Sequence, residues 1–134
     1  MTFDGLRPQR LVVVVGTGTE IGKTYVTARL LRDLRSKGID VAARKPAQSF
    51  GPEDQFTDAH FLADASGESP NDVCPRHRWY PIPMAPPMAA DALSRPQFTV
   101  EDLASEIQWP LPAPAVAFVE SAGGVRSPLA ADGD

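Results

Sequence analysis

The first apolar run of the chain, LVVVV from Leu11 to Val15, is continuous and β-branched instead of alternating. Bounded by glycine, such a run predicts a strand buried on both faces. From Gly22 the period lengthens. Val26, Leu30 and Leu34 recur at i, i+4 and i+8, with Ile21 and Leu31 nearby and Arg29, Arg32 and Arg35 at other positions. This predicts an amphipathic helix, and Gly38 is placed to stop it. IDVAARKP, Ile39 to Pro46, reads as a second short strand closed by a proline that has no N–H for a ladder. Strand, loop, helix and strand within about 35 residues form a βαβ unit, whose crossover joins parallel strands.

Beyond Pro46 the pattern loosens. EDQFTDAHFLADASG, Glu53 to Gly67, sets Phe56, Ala59, His60 and Ala63 on one helical face closed by Gly67. Half of the 14 prolines fall between Pro70 and Pro96, which predicts a mostly extended loop with a turn of helix at Met88 to Leu93. TVEDLASEI opens with a T-x-x-D capping box, Thr99 and Asp102, and predicts a second-layer helix. Val116 to Val119 forms a third buried strand that runs through Glu120 into a glycine-rich turn. The expectation is a parallel α/β fold with three strands and two or three helices. A length of 134 residues suits one core, so residues 1–134 are expected to form a single domain with 70–96 as a proline-rich loop.

Composition narrows the function. An apolar fraction of 43% and a charged fraction of 22% are those of a globular chain. A net charge of -4 leaves no basic footprint for nucleic acid. No apolar run approaches a membrane span, and MTFDGLRPQR lacks the hydrophobic centre of a signal peptide. Cys74 is the only cysteine, which excludes an internal disulfide and fits a reducing compartment. A soluble cytoplasmic protein with neither a nucleic-acid nor a membrane partner is expected. Of 13 basic residues only Lys23, Lys37 and Lys45 are lysine. Where arginine is the default, a retained lysine hints that a compact ammonium is required.

Two of those lysines lie in candidate chemistry. GKT, Gly22 to Thr24, follows a strand and opens a helix, the context of a phosphate-binding loop. The general spacing G-x-x-x-x-G-K-[ST] would place its first glycine at Thr17, whereas here the loop opens at Gly16, one residue earlier. In such a loop backbone N–H groups hold phosphate oxygens, Lys23 reaches the outer phosphates and the Thr24 hydroxyl can ligate Mg²⁺. A dinucleotide fingerprint fails, because it would need glycine at Ile21. Glu120, at the end of AVAFV and before Ser121-Ala122-Gly123-Gly124, is placed to serve a metal beside open backbone; the alternative is a solvated strand end. Lys45 ends the second strand on the same sheet edge and can face a transferring phosphoryl group, though spacing alone allows a plain surface lysine. Asp58 is, by position, one of four acids from Glu53 to Asp64, most of them expected as solvated helix charges.

Together these pieces resemble the ATP-dependent dethiobiotin synthetases of biotin biosynthesis. Their G-T-x-T-x-[VI]-G-K-T loop is matched by GTGTEIGKT, extra residue included, and their K-P-x-x-[ST] turn by KPAQS. TDA at Thr57 to Ala59, YPIPMAP and VESAGG follow in the family's order, so the resemblance runs from about Leu11 to the end. It implies a P-loop NTPase-like parallel sheet with flanking helices, and a nucleotide site made by Gly18, Thr19, Glu20, Ile21, Gly22, Lys23, Thr24 and Tyr25. Thr24, Asp58 and Glu120 would hold Mg²⁺. Lys23 and Lys45 would be catalytic, with Lys45 facing the carbamate and Ser49 hydrogen-bonding the substrate. The reaction implied is ATP-driven closure of a cyclic urea from 7,8-diaminononanoate and CO₂ through a phosphorylated carbamate, by a homodimer. His60, His77 and Cys74 have no assigned chemistry and are read as structural.

The chain departs from the family at Ser121, where V-E-G-A-G-G has glycine, and at Gly18, where many members have Asp. Family chains also run on for roughly another half, the size of a usual doubly wound domain. The expected sheet therefore lacks the C-terminal part of that domain. Two other readings are open. Cobyrinate-type amide ligases share the loop spacing, but KPAQS with TDA favours the diamine enzyme. A truncated, non-catalytic nucleotide-binding domain would expose apolar surface at an incomplete sheet edge. Partition-type ATPases would need lysine at Gly18.

Overall fold

The computed structural model describes residues 6–17, 22–124 and 127–133. Three parallel strands form the main sheet: β1 (Arg10–Val14), β2 (Val41–Arg44) and β5 (Val116–Glu120), in the order β1-β5-β2. The third strand in sequence therefore lies between the first two. Val12 and Ala43 both stand opposite Phe118, and Val14 stands opposite Glu120. This register brings the C-terminal ends of all three strands to one edge, where loops gather in open α/β sheets.

Helix α1 (Lys23–Ser36) follows β1, and α2 (Asp58–Ser66) packs beside it. Gly38, at φ +76°, takes the Ile39 N–H to Leu34 and its own N–H to Arg35, the paired bonds of a Schellman stop. Gly67, at φ +79°, closes α2 as the sequence predicts. A two-stranded parallel ribbon, β3 (Gln48–Ser49) with β4 (Trp79–Tyr80), lies farther along the chain. The capping box of Thr99 and Asp102 opens α5 (Val100–Ser105), as predicted. One apolar cluster joins Leu31, Leu62, Val73 and Phe118 between α1, α2 and the sheet; a second joins Tyr80, Phe98 and Leu103. No helix among the described residues is long and apolar enough to cross a membrane.

The structure corrects four sequence expectations. The run Leu11–Val15 does yield a strand, over Arg10–Val14, but it is not buried on both faces. Among the described residues β1 pairs only with β5, and Leu11, Val12, Val13 and Val15 stay 40–60% exposed. Helix α1 is rotated from the predicted face: Thr27, Ala28 and Leu31 are buried, while Val26 and Leu30, like the valines of β1, are open. Phe56 precedes α2 and is exposed, so the buried face is Ala59, Leu62, Ala63 and Ser66. The proline-rich stretch is more ordered than a loop. It holds α3 (Pro70–Val73), a 3₁₀ turn at Arg76–Arg78, β4 and α4 (Pro86–Ala92). Pro70 and Pro86 open their helices, where a missing N–H costs nothing.

Neighbouring strand residues face opposite ways, which separates Arg44 from Lys45. Arg44 meets Glu68 at 2.6 Å and the Gln108 carbonyl at 2.9 Å, and Lys45 turns to the other side. Leu31→Ala removes a fully buried side chain and is expected to cost about 2–5 kcal/mol. Val13→Ala, on the open strand, should cost no more than about 1 kcal/mol. Urea unfolding of the two variants checks this, and equal losses would contradict the open placement of β1.

Candidate functional site

A cleft of about 760 Å³ opens at the C-terminal edge of the sheet. Its walls come from the start of α1, the ends of β2 and β5, the start of α2 and the segment before α4. Gly22, Lys23, Thr24, Tyr25, Lys45, Ser49, Asp58 and Glu120 all line it. The sequence-predicted site residues are thus brought together wherever they are described. Gly18, Thr19, Glu20 and Ile21 lie outside the described residues.

The start of α1 is built for close approach. Gly22 sits at φ +95° with nothing near the position of an added Cβ, so backbone conformation, not crowding, calls for glycine. Among the described residues no side chain caps this helix, and no acidic residue occupies its first turn. The start of α1 lines the cleft, and its N–H groups and positive dipole end have no acidic side chain of the helix's own first turn beside them. The Lys23 ammonium donates to the Gly123 carbonyl, and Thr27 Oγ1 donates to the Lys23 carbonyl at 2.7 Å.

At the centre is a buried ion cluster. The Lys45 ammonium lies 3.0 Å from Glu120 Oε1 and 2.8 Å from Asp58 Oδ2, and reaches the Ser121 carbonyl at 3.4 Å. Thr24 Oγ1 donates to the same Glu120 oxygen at 2.6 Å. Lys45 is 3% exposed and Glu120 is 1%, which rules out the plain surface lysine and the solvated strand end. Asp58, weakest by spacing alone, is the carboxylate that Lys45 meets at the shorter distance. Glu120 Oε2 and the Ser121 hydroxyl are buried and find no hydrogen-bond partner among the described residues. Such orphans call for an explanation, and a bound ion is one.

The donor chemistry suits a hard cation. Among the described residues no group of three or more His, Cys, Asp or Glu is arranged to hold a metal by itself. Two carboxylates with a hydroxyl, completed by phosphate oxygens and water, are the kind of set Mg²⁺ uses. Glu120 fits that use, with Oε1 meeting the Thr24 hydroxyl and Oε2 without a partner among the described residues.

The two lysines titrate in opposite directions. Burial is the largest influence on Lys45 and pulls it down, but the charges and hydrogen bonds of Glu120 and Asp58 outweigh it, leaving Lys45 above the ordinary 10.5. Burial, then the like charge of Lys45, holds Lys23 below its ordinary value.

The residues expected to be structural have partners. His60 accepts from the Thr57 N–H at 3.0 Å and meets the edge of Trp79; His77 lies 3.1 Å from Glu106. Burial pushes the Cys74 thiol up to about 12. Sequence reasoning missed Thr57 and Gln48. Thr57 opens a capping box whose third helical residue is His, not the usual Glu or Gln. Gln48 lay inside KPAQS, where only the ends were assigned chemistry.

Because the folded pKa of Lys45 is raised, its contribution to stability is complete below its unfolded value of 10.5. That contribution is lost as pH rises through the folded value. Urea unfolding from about pH 8 to about pH 11.5 should therefore show a steeper alkaline loss for the native chain than for Lys45→Met/Glu120→Gln. Parallel losses would contradict the charge cluster.

Comparison with known proteins agrees with this geometry. The sequence model of a family described as an AAA domain matches residues 10–133. The chain is 36% identical to the ATP-dependent dethiobiotin synthetase BioD of Methylobacterium nodulans, covering 89% of this chain and 57% of that one. Identity to the Corynebacterium efficiens protein of the same name is 39%, covering 91% and 53%. For the Haloferax mediterranei protein it is 42%, covering 87% and 48%. The chain thus spans about half the length of the curated relatives it matches. With the family model spanning the sheet and the cleft, the chain belongs to the AAA-domain family, and its relatives there are dethiobiotin synthetases.

Proposed function

We propose that the cleft is the phosphoryl-transfer site of an ATP-dependent cyclo-ligase that makes dethiobiotin from 7,8-diaminononanoate and CO₂. The observation that carries this is Lys45, buried between Glu120 and Asp58 beside the Thr24 hydroxyl at an uncapped helix start. A carbamate attacking a nucleotide phosphate brings anion to anion, so the site must supply fixed positive charge where the two meet. The relatives are named ATP-dependent dethiobiotin synthetases, which supports the same reading here.

In this reading one amine of the diamine adds to CO₂, giving a carbamate and a proton that leaves to solvent. A carbamate oxygen then attacks the γ-phosphorus of ATP, and the bond to ADP breaks. The second amine attacks the carbamoyl carbon, closes the ring and expels phosphate. Lys45 faces the carbamate and the phosphoryl group arriving on it. Lys23 and the N–H groups at the start of α1 hold the nucleotide phosphates, and the family resemblance assigns Gly18, Thr19, Glu20, Ile21, Gly22, Thr24 and Tyr25 to the same nucleotide. Ser49, in the cleft wall, hydrogen-bonds the diamine. Thr24, Asp58 and Glu120 would hold Mg²⁺, which neutralises charge on the phosphates when bound. A homodimer follows from the family resemblance.

A second reading has its own observation. The exposed apolar side chains of Leu11, Val12 and Val13 on β1 favour a nucleotide-binding domain without turnover. Phosphate release from ATP with Mg²⁺, bicarbonate and the diamine separates the two. Release that depends on the diamine supports the ligase, release without it indicates a regulatory ATPase, and none leaves the binding domain. If the ligase reading holds, Lys45→Ala should lower turnover by about 100-fold or more with ATP affinity close to native. Lys23→Ala should weaken both. Normal turnover in Lys45→Ala would remove the role given to that lysine.

A further inference from the structure

We infer that Gln48 is a positioning residue that fixes Asp58 in the cleft and so sets the affinity of the site for a divalent cation bound with nucleotide phosphate. This rests on the metal role proposed above for Asp58.

Gln48 is 1% exposed, and a buried primary amide must find partners for both its ends. It finds them on the two residues that flank Asp58. Nε2 donates to Thr57 Oγ1 at 3.1 Å, and Oε1 accepts the Ala59 N–H at 3.1 Å. The Ala59 N–H belongs to the first turn of α2, which has no intrahelical partner for it. The glutamine thus replaces a capping group and ties that turn to β3. On the other side, the Thr57 N–H donates to His60 Nδ1, and Thr57 Oγ1 lies 2.9 Å from the same nitrogen. An accepting Nδ1 leaves the ring proton of neutral His60 on Nε2. The His60 ring in turn meets the edge of Trp79, the residue that stands opposite Gln48 in the β3–β4 ribbon. Both flanks of Asp58 are therefore fixed to one short ribbon.

Asp58 itself needs this support, because its side chain is 45% exposed and Lys45 is the ion-pair partner it meets in the cleft. Exposed carboxylates keep rotamer freedom that an ion pair in water does little to restrict. Holding the backbone on either side restricts where the carboxylate can go. One five-residue segment, KPAQS, then acts on Asp58 twice: Lys45 through charge and Gln48 through the backbone of its neighbours. Groups that orient a ligating carboxylate tune the metal as the ligand itself does.

The test is Mn²⁺ binding to the whole chain in the presence of ATP, read from the electron paramagnetic resonance signal of free Mn²⁺, with thermal melting run alongside. Asp58→Asn and Gln48→Leu should each weaken Mn²⁺ binding by about tenfold or more. The double variant should bind no more weakly than the weaker single variant, since both act on one carboxylate. Thr57→Val should reproduce the loss and Thr57→Ser should restore binding, which decides the matter if Gln48→Leu does not fold. A Gln48→Leu or Thr57→Val affinity within about twofold of native, with Asp58→Asn weakened, would overturn the role of Gln48. Fully additive losses would do the same. Native affinity in Asp58→Asn would overturn the metal role of Asp58 and the inference with it.

Discussion

A buried ammonium shared by two carboxylates is the constraint around which the cleft is organised. Taking Lys45 and Glu120 out of water costs several kcal/mol per ion before any attraction is counted. That cost is tolerated only where partners are fixed in advance. Here the chain fixes them with regular structure: Lys45 just past β2, Glu120 at the end of β5, Asp58 at the first position of α2 and Thr24 in the first turn of α1. The β1-β5-β2 order is what makes this possible, because it sets the strand that carries Glu120 directly beside the one that leads to Lys45. The cluster is not balanced, however. One lysine faces two carboxylates, and one Glu120 oxygen has no partner among the described residues. Carboxylate oxygens beside Lys23 and the start of α1 are suited to bring a cation and a polyanion together.

Much of this was legible in the sequence because it depended on local order. The strand-loop-helix context of Gly22-Lys23-Thr24, the strand ends at Lys45 and Glu120, the helix stops at Gly38 and Gly67 and the capping box at Thr99 are all short-range signals. Their convergence on one cleft follows from parallel connections, which return every strand end to the same edge. Gln48 and Thr57 were hidden for the opposite reason. Their roles depend on a contact between β3 and the start of α2, and no spacing rule joins a strand glutamine to the flanks of an aspartate ten residues later.

The errors have a common cause as well. Apolar periodicity tells which residues suit burial, but burial depends on what stands opposite. Leu11, Val12, Val13 and Val15, and the Val26–Leu30 side of α1, carry the pattern of covered surfaces yet stay exposed, whereas Val14 packs against the core. Helix α1 takes its cover from α2 and the β2–β5 side of the sheet, which is why Thr27 and Leu31 are inside and Val26 is not. In the proline-rich stretch, Pro70 and Pro86 stand at helix starts, where proline favours initiation, so a density of prolines does not by itself mean a loop.

The central claim is that Thr24, Asp58 and Glu120 form one cation site facing a nucleotide at the start of α1. It is tested most directly by crystals of the chain grown with Mn²⁺ and a non-hydrolysable ATP analogue, with anomalous data collected at the manganese edge. The account predicts a single strong peak between the Thr24 hydroxyl and the two carboxylates, with analogue phosphates against Lys23. Manganese bound elsewhere, or nucleotide bound in the cleft with no metal among these three side chains, would contradict it.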